Sequence, residues 1–246
     1  MFTVPPPFCA PSVWRDQLCH QGYALLEPAD VPGWSGAPRE TLDALAGSWA
    51  DLPPDEYLKD GGRYRRRRHS SYVVDGQAVL RVPHRAHWQP LSYNALHGGM
   101  ERWFEPISDA VDASSAWRAL IAAAAAAATA LRGEQPWFVE AHQFRIDTTD
   151  GIGRPTPEGA HRDGVDLVMV ALVGRSGVKG GETRVFDARG PMGQRFTLTE
   201  AWSVMLLDDQ RVIHESTPIQ PQADFGWRDT LVLTVRGGGF QDAPLG

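Results

Sequence analysis

His161 and Asp163 stand two residues apart in His161-Arg162-Asp163, and in an extended chain residues i and i+2 face the same way. An imidazole and a carboxylate are thus offered side by side, two ligands of a metal site. A third can come from His214, at the end of Arg211-Val212-Ile213-His214, which reads as a strand end. Two imidazoles and one carboxylate on one side of a metal leave the opposite positions open to small molecules. HxD alone is a weak signal, since most such tripeptides hold nothing. Arg228 strengthens it. In Trp227-Arg228-Asp229-Thr230 a guanidinium, always charged and forked, is suited to hold a carboxylate in two-point contact. Thr230 lies on the same strand face as Arg228, where its hydroxyl can share that carboxylate.

HxD, a distant His and then RxT is a specific order. With it, Glu158-Gly159-Ala160-His161-Arg162-Asp163-Gly164, Gly180-Gly181-Glu182-Thr183, Leu207-Asp208-Asp209-Gln210-Arg211-Val212-Ile213-His214, Thr217-Pro218-Ile219 and Arg228-Asp229 resemble a known family. It is the 2-oxoglutarate/Fe(II) dioxygenase family that contains the bacterial L-isoleucine 4-hydroxylases. Upstream, His142-Gln143-Phe144-Arg145-Ile146 is also similar. The resemblance covers about the last 100 residues and is vague before Glu134. Ala160 and Trp227 depart from the family's pattern without touching a ligand. The resemblance implies Fe(II), held by His161, Asp163 and His214, with 2-oxoglutarate and O2 as co-substrates and Arg228 and Thr230 on the distal carboxylate. It further implies hydroxylation of a free aliphatic L-amino acid, with release of succinate and CO2. Neither composition nor spacing points to that substrate. The same chemistry on a peptide or natural product is the alternative. A non-catalytic cupin-like binder and a zinc isomerase or hydrolase are rivals of another class, and both leave Arg228 without a purpose.

The elements that position these residues change character along the chain. Pro11 to Gly22 and Pro38 to Trp49 read as helices, with a strand at Tyr23 to Leu26 between them. Val111 to Leu131 is a helix whose Ala122 to Ala128 tract has the highest intrinsic helix propensity. After Gly133 the texture is β, with strands expected at Trp137–Ile146, Asp166–Val173, Thr183–Asp187, Arg195–Thr199, Ser203–Leu207, Val212–Glu215 and Thr230–Val235. The expected fold is mainly β with flanking helices (α+β). Its core is a double-stranded β-helix of jelly-roll, cupin-like type with the N-terminal helices packed on one side. One oxygenase domain spans 1–246, a helical and partly β region (1–133) packing on the jelly-roll core (134–246).

Other residues carry weaker readings. Gln143 and Arg145 share a strand face; they contact substrate, or they are a buried polar pair supporting the barrel. Asp208 and Asp209 read as turn residues and Gly180-Gly181 as a hairpin turn. The loop Asp147 to Gly159 is either a lid or a loop without fixed structure. In the basic run Arg63 to Arg68, two readings stand level: a solvated edge strand, or a strand pointing alternate arginines into an anionic site. His84 and His87 form HxxH, but Pro83 and Pro90 argue against a helix, so surface histidines are expected. His97 reads as a loop residue, and His20, His69 and His142 as background.

The bulk numbers exclude several classes. A net charge of −6 gives no footprint for nucleic acid. The longest apolar run, Leu120 to Leu131, is too short to span a membrane. Met1 to Ala10 is proline-rich and lacks the basic start of a signal peptide. Cys9 and Cys19 make no disulfide framework, so a reduced, cytoplasmic location is expected. The expected partner is a small-molecule substrate; the oligomeric state stays open, a homodimer included.

Overall fold

The structure, a computed structural model, describes residues 4–243. The first residues of the proline-rich start, Met1 to Thr3, lie outside that range. In chain order the elements are α1 (Trp14–Gln21), β1 (Tyr23–Leu26), α2 (Val31–Ser35), α3 (Arg39–Ala46), a 3-10 turn (Gly47–Trp49), β2 (Arg65–Asp75), β3 (Ala78–Arg81), α4 (Asp109–Asp112) and α5 (Ser115–Arg132). Nine strands follow: β4 (Trp137–Asp147), β5 (Leu167–Ser176), β6 (Val178–Gly180), β7 (Thr183–Asp187), β8 (Gly193–Phe196), β9 (Val204–Asp208), β10 (Val212–Ser216), β11 (Ile219–Pro221) and β12 (Trp227–Gly237).

A seven-stranded antiparallel sheet runs β1-β9-β5-β12-β4-β2-β3. Facing it are a three-stranded sheet, β10-β7-β8, and a pair, β11-β6. This is the jelly-roll, double-stranded β-helix expected from the sequence, with helices on one side. The N-terminal region does more than pack on the core. Its β1, β2 and β3 complete the large sheet, through β9 and β4.

Strand parity decides what each face of the large sheet does, because successive side chains alternate. On one face Tyr72, Val139, Leu167, Leu231 and Leu233 pack under the helices in a single apolar cluster. The buried alanines of α5, Ala124, Ala127 and Ala128, belong to that cluster; side chains this small bring the helix close to the strands. Trp117 donates from Nε1 to the Tyr72 hydroxyl at 2.9 Å, so the large polar groups buried there are satisfied. On the other face Val168, Leu172 and Leu207 meet Val185 and Phe196 of the small sheet. Between the two sheets the apolar packing gives way to a cavity of about 130 Å³.

Two turns differ from expectation. Gly180 and Gly181 make no hairpin; both have positive φ, at 80° and 69°. They carry the chain from β6, paired with β11, into β7, paired with β10. A Cβ on Gly181 would lie 3.5 Å from Arg228 Cδ and 3.1 Å from Ile219 Cγ2, so the bare backbone leaves room for Arg228. The loop from Asp147 to Gly159 is tied down: Gly153 and Ile219 exchange backbone hydrogen bonds of 3.1 and 2.8 Å. Thr156 Oγ1 donates to Ser216 O at 3.0 Å, and Pro155, Thr156 and Glu158 form part of the cavity wall.

Candidate metal centre and its cavity

His161 and His214 come from distant segments that pair directly. Each backbone N–H donates to the other's carbonyl at 3.0 Å, an isolated antiparallel bridge that sets the rings 4.6 Å apart by centroid. Asp163, on the same side as His161, completes the group: Oδ1 is 3.9 Å from His161 Nε2 and Oδ2 is 3.7 Å from His214 Nε2. One ligand atom from each of the three lies within 4.8 Å of the others. These spacings are too long for hydrogen bonds and are of the order of the edge of a coordination polyhedron.

The donor set fits a divalent ion. His161 Nδ1 donates to Gly159 O at 2.9 Å, which leaves the Nε2 lone pair directed at the centre. Burial holds His214 far below the ordinary histidine range, so its imidazole is neutral and free to ligate. For His161, burial opposes the charge, but Asp163 and Glu158 outweigh it and raise the pKa. A cation at the centre would take the place of that proton. Two imidazoles and a carboxylate with open positions suit Fe(II).

Asp209, in a turn as the sequence reading expected, also holds the ligand loop. Its carboxylate accepts from the backbone N–H groups of Asp163 (3.0 Å), Gly164 (2.7 Å) and Val165 (3.1 Å). Gly164 makes this possible: with φ of 77° it turns three successive N–H groups onto one carboxylate, and a Cβ there would strike Tyr93 at 2.4 Å. Asp208, by contrast, pairs with Arg132 at 2.5 Å. We expect Asp209→Ala to weaken metal binding by about 10–100-fold, the usual cost of losing a group that orients a ligand. Chelator competition checks this, and wild-type metal affinity in the folded variant would contradict it.

Arg228 and Thr230 both face the cavity from β12, as their i, i+2 spacing requires. Arg228 is buried and makes no ion pair among the described residues, and its Nε has no partner. Burial, then the nearby Arg175, bring its pKa to about 10 against the pull of Asp229, so it remains charged at neutral pH. Thr183, across the cavity on β7, has a buried hydroxyl without a partner. Sequence reasoning placed Thr183 in a motif but gave it no role; its buried, unpaired hydroxyl became visible only with the fold.

Gln143 and Arg145 do not line the cavity, which corrects their reading as substrate contacts. The β4 residues that do are His142, Phe144 and Ile146. Gln143 and Arg145 have the opposite parity and share the helix-covered face with Val139 and Ala141. There Gln143 donates to Ser48 Oγ at 2.8 Å, and Arg145 holds Asp229 at 2.6 and 2.8 Å. Both are polar supports under the helices, Gln143 buried and Arg145 half-buried.

Of the histidines set aside as background or surface, His20 and His84 are exposed as expected, but the others need correction. His69, His87 and His142 are buried and cluster, with ligand atoms within 4.8 Å of one another, and His97 is buried as well. Glu140 Oε1 accepts from His69 Nε2 and His87 Nδ1, both at 3.2 Å. His142 Nδ1 accepts from Arg67 Nη2 at 2.7 Å. A guanidinium against His142 opposes a second cation there.

Burial keeps these imidazoles neutral, with His87 at about 3 and His97 at about 4; His69 and His142 are lowered too. Unfolded, each would titrate near 6.5. Between about 4 and 6.5 the unfolded chain therefore takes up protons that the folded one refuses. Stability should fall as pH drops through that window, by up to about 1.4 kcal/mol per pH unit for each imidazole. Asp209, raised to about 7 by burial and Asp163, acts in the opposite sense, as do the raised Asp163, Asp229 and His161, while the lowered His214 adds to the four. The urea midpoint of metal-free protein should be clearly lower at pH 5 than at pH 7. An unchanged midpoint would contradict the neutral assignment.

The chain is similar to known proteins at the level of family and fold. The model of a family described as 2OG-Fe dioxygenase matches residues 46–234. The crystal structure of a bsmA homolog from Methylobium petroleophilum PM1 is 51% identical, covers 99% of both chains and superposes with a TM-score of 0.91. IDO from Bacillus thuringiensis is 18% identical over 94% of this chain and 99% of its own, with a TM-score of 0.75. TqaL, an Fe(II)/(alpha)ketoglutarate-dependent dioxygenase, is 21% identical over 93% and 88%, with a TM-score of 0.70. At those identities the last two speak to the fold alone. No curated protein matches the chain.

Proposed function

We propose a substrate and residue roles for a chain that belongs to the 2OG-Fe dioxygenase family and is therefore an enzyme using Fe(II), 2-oxoglutarate and O2. The substrate is a free aliphatic L-amino acid, as in the isoleucine hydroxylases that the motifs resemble. His161, Asp163 and His214 hold the iron. Arg228 takes the distal carboxylate of 2-oxoglutarate, with Thr230 and the unpaired hydroxyl of Thr183 beside it. When bound, the metal and co-substrate supply the oxidising chemistry: 2-oxoglutarate leaves as succinate and CO2 while a C–H bond of the substrate gains a hydroxyl.

The observation that carries this reading is one buried cavity containing the ligand triad, an unpaired guanidinium on β12 and an apolar patch of Val170, Met205 and Val232. The patch can seat an aliphatic side chain near the metal ligands. Asp209 fixes the ligand loop, Gln89 donates to Asp163 Oδ1 at 3.1 Å and keeps that carboxylate oriented, and the Thr156 loop limits water.

The test supplies Fe(II), 2-oxoglutarate and O2 with a panel of free L-amino acids and measures succinate against the uncoupled background. At least one aliphatic amino acid should stimulate succinate and gain a hydroxyl in equal amount. Stimulation by peptides alone, or by no amino acid, would remove the substrate assignment and leave the family chemistry standing.

A further inference from the structure

We propose that Arg65, Arg67 and Arg102 form a second anion subsite in the cavity, which takes the substrate's carboxylate. This rests on the substrate reading above for the identity of the anion. Its placement rests on the arginines themselves.

The basic run lies on β2 with β4 along one side. β3 reaches only Tyr72–Asp75. The other side of the arginines is covered by the 53–55 segment, where Asp55 N donates to Arg65 O at 2.9 Å and Arg67 N to Pro53 O at 3.0 Å, so the reading as a solvated edge fails. Parity then splits the run. Arg66 and Arg68 point away from the cavity, toward Asp147 at 3.6 Å and Glu105 at 2.7 Å. Arg65 and Arg67 point inward, with side chains only 6% and 3% exposed, and both line the cavity. Arg102, 2% exposed, joins them there from the segment before α4.

These three guanidinium groups are under-neutralised. Asp55 alone pairs with two of them: its Oδ2 is 2.6 Å from Arg65 Nε and 3.7 Å from Arg67 Nη1. Among the described residues, the Arg102 guanidinium reaches only a neutral amide, Gln89 Oε1, at 2.9 Å. Glu140 is engaged by His69, His87 and Arg85. Glu158, also on the cavity wall, raises the pKa of Arg102 but pairs with none of the three among the described residues, its ion-pair contact being His161 at 3.6 Å. Three buried N–H groups, Arg65 Nη2, Arg67 Nε and Arg102 Nε, have no partner. Buried charges without partners are costly, so such a group of arginines is expected to serve an anion.

The wall is also rigid. Arg67 is sandwiched between Phe104, 3.7 Å from Cζ to the ring centroid, and Phe144, at 4.4 Å. Its bond to His142 Nδ1 requires that imidazole to carry its proton on Nε2. Forked guanidiniums held in place suit two-point contact with a carboxylate.

Nor is this the Arg228 subsite under another name. Arg65 and Arg228 are both in register with Ile146 of β4, from opposite sides. Two inter-strand spacings, about 10 Å, therefore separate their backbones. The co-substrate's distal carboxylate is assigned to one flank of β4 and the substrate's carboxylate to the other.

Trifluoroacetate, followed by 19F NMR, is the probe. It is titrated into full-length protein carrying Zn(II) and saturating 2-oxoglutarate, and into metal-free protein. Wild type should show saturable binding. Arg102→Gln should weaken it at least tenfold, and Arg102→Lys should restore part of it, with zinc stoichiometry and 2-oxoglutarate affinity unchanged in both. Unchanged trifluoroacetate affinity in folded Arg102→Gln, or no saturable site in wild type, would overturn the proposal. So would one-for-one displacement by 2-oxoglutarate, which would put the co-substrate on this wall. Should Arg102→Gln fail to fold, competition in wild type decides: acetate should displace the probe and acetamide should not, while equal displacement by both, or stronger displacement by phosphate, overturns the carboxylate assignment. Because no wall residue is a metal ligand, loss of zinc or 2-oxoglutarate binding with the trifluoroacetate site intact would sink the reading of the metal centre and leave this one standing.

Discussion

Asp163→Ala should leave a folded protein that no longer retains iron, with an affinity loss of more than about 100-fold. Losing a group that merely orients a ligand typically costs 10–100-fold, and Asp163 is the one anionic member of the triad. The two imidazoles would stay together, because the reciprocal backbone bonds between His161 and His214 do not involve the Asp163 side chain. What disappears is the negative charge facing them at 3.7 and 3.9 Å. The contact from Gln89 is lost as well, a hydrogen bond worth on the order of 1 kcal/mol. Metal content after gel filtration, with the melting temperature of the metal-free protein as control, checks the expectation. Wild-type iron retention by the variant would show that the carboxylate is not a ligand.

The second large effect falls on the co-substrate. Arg228→Ala should raise the 2-oxoglutarate concentration needed for half-saturation by about 30-fold to several thousand-fold. Removing one partner of a buried charge pair costs about 2–5 kcal/mol, and each 1.4 kcal/mol is a factor of ten. Iron affinity should hardly move, since Arg228 is outside the triad. The stability readout separates binding from structure. Without co-substrate Arg228 is a buried cation that makes no ion pair among the described residues, so its removal should leave the melting temperature level or raise it. A lower melting temperature together with lost iron would mean that Arg228 holds the fold instead.

Local spacing made the metal triad and Arg228 legible in the sequence. His161 and Asp163, and likewise Arg228 and Thr230, are i, i+2 pairs, and the extended backbone settles their relative direction without knowledge of the fold. Which face of the sheet they occupy is a different matter. Gln143 and Arg145 have the same spacing, yet they point under the helices while His142 and Phe144 line the cavity. That choice depends on the register of β4 with β2 and β12, which joins residues far apart in the chain.

The same long-range pairing buries His69 opposite His142, and it makes the arginine run of β2 an inner wall where an edge strand was an equal reading. Asp209 was hidden for another reason. It acts through backbone N–H groups of the ligand loop, which leave no trace in side-chain identity. The helices and most strands of the C-terminal half lie close to their expected places, because alanine propensity and apolar alternation are local signals. The basic run and the histidines required the sheet.

The most direct measurement is the visible spectrum of the protein loaded anaerobically with Fe(II) and 2-oxoglutarate. A metal-to-ligand charge-transfer band should appear with one iron per chain, vanish in Asp163→Ala, and return in Arg228→Ala only at much higher 2-oxoglutarate. Folded, iron-loaded wild type that shows no such band at saturating 2-oxoglutarate would contradict the account.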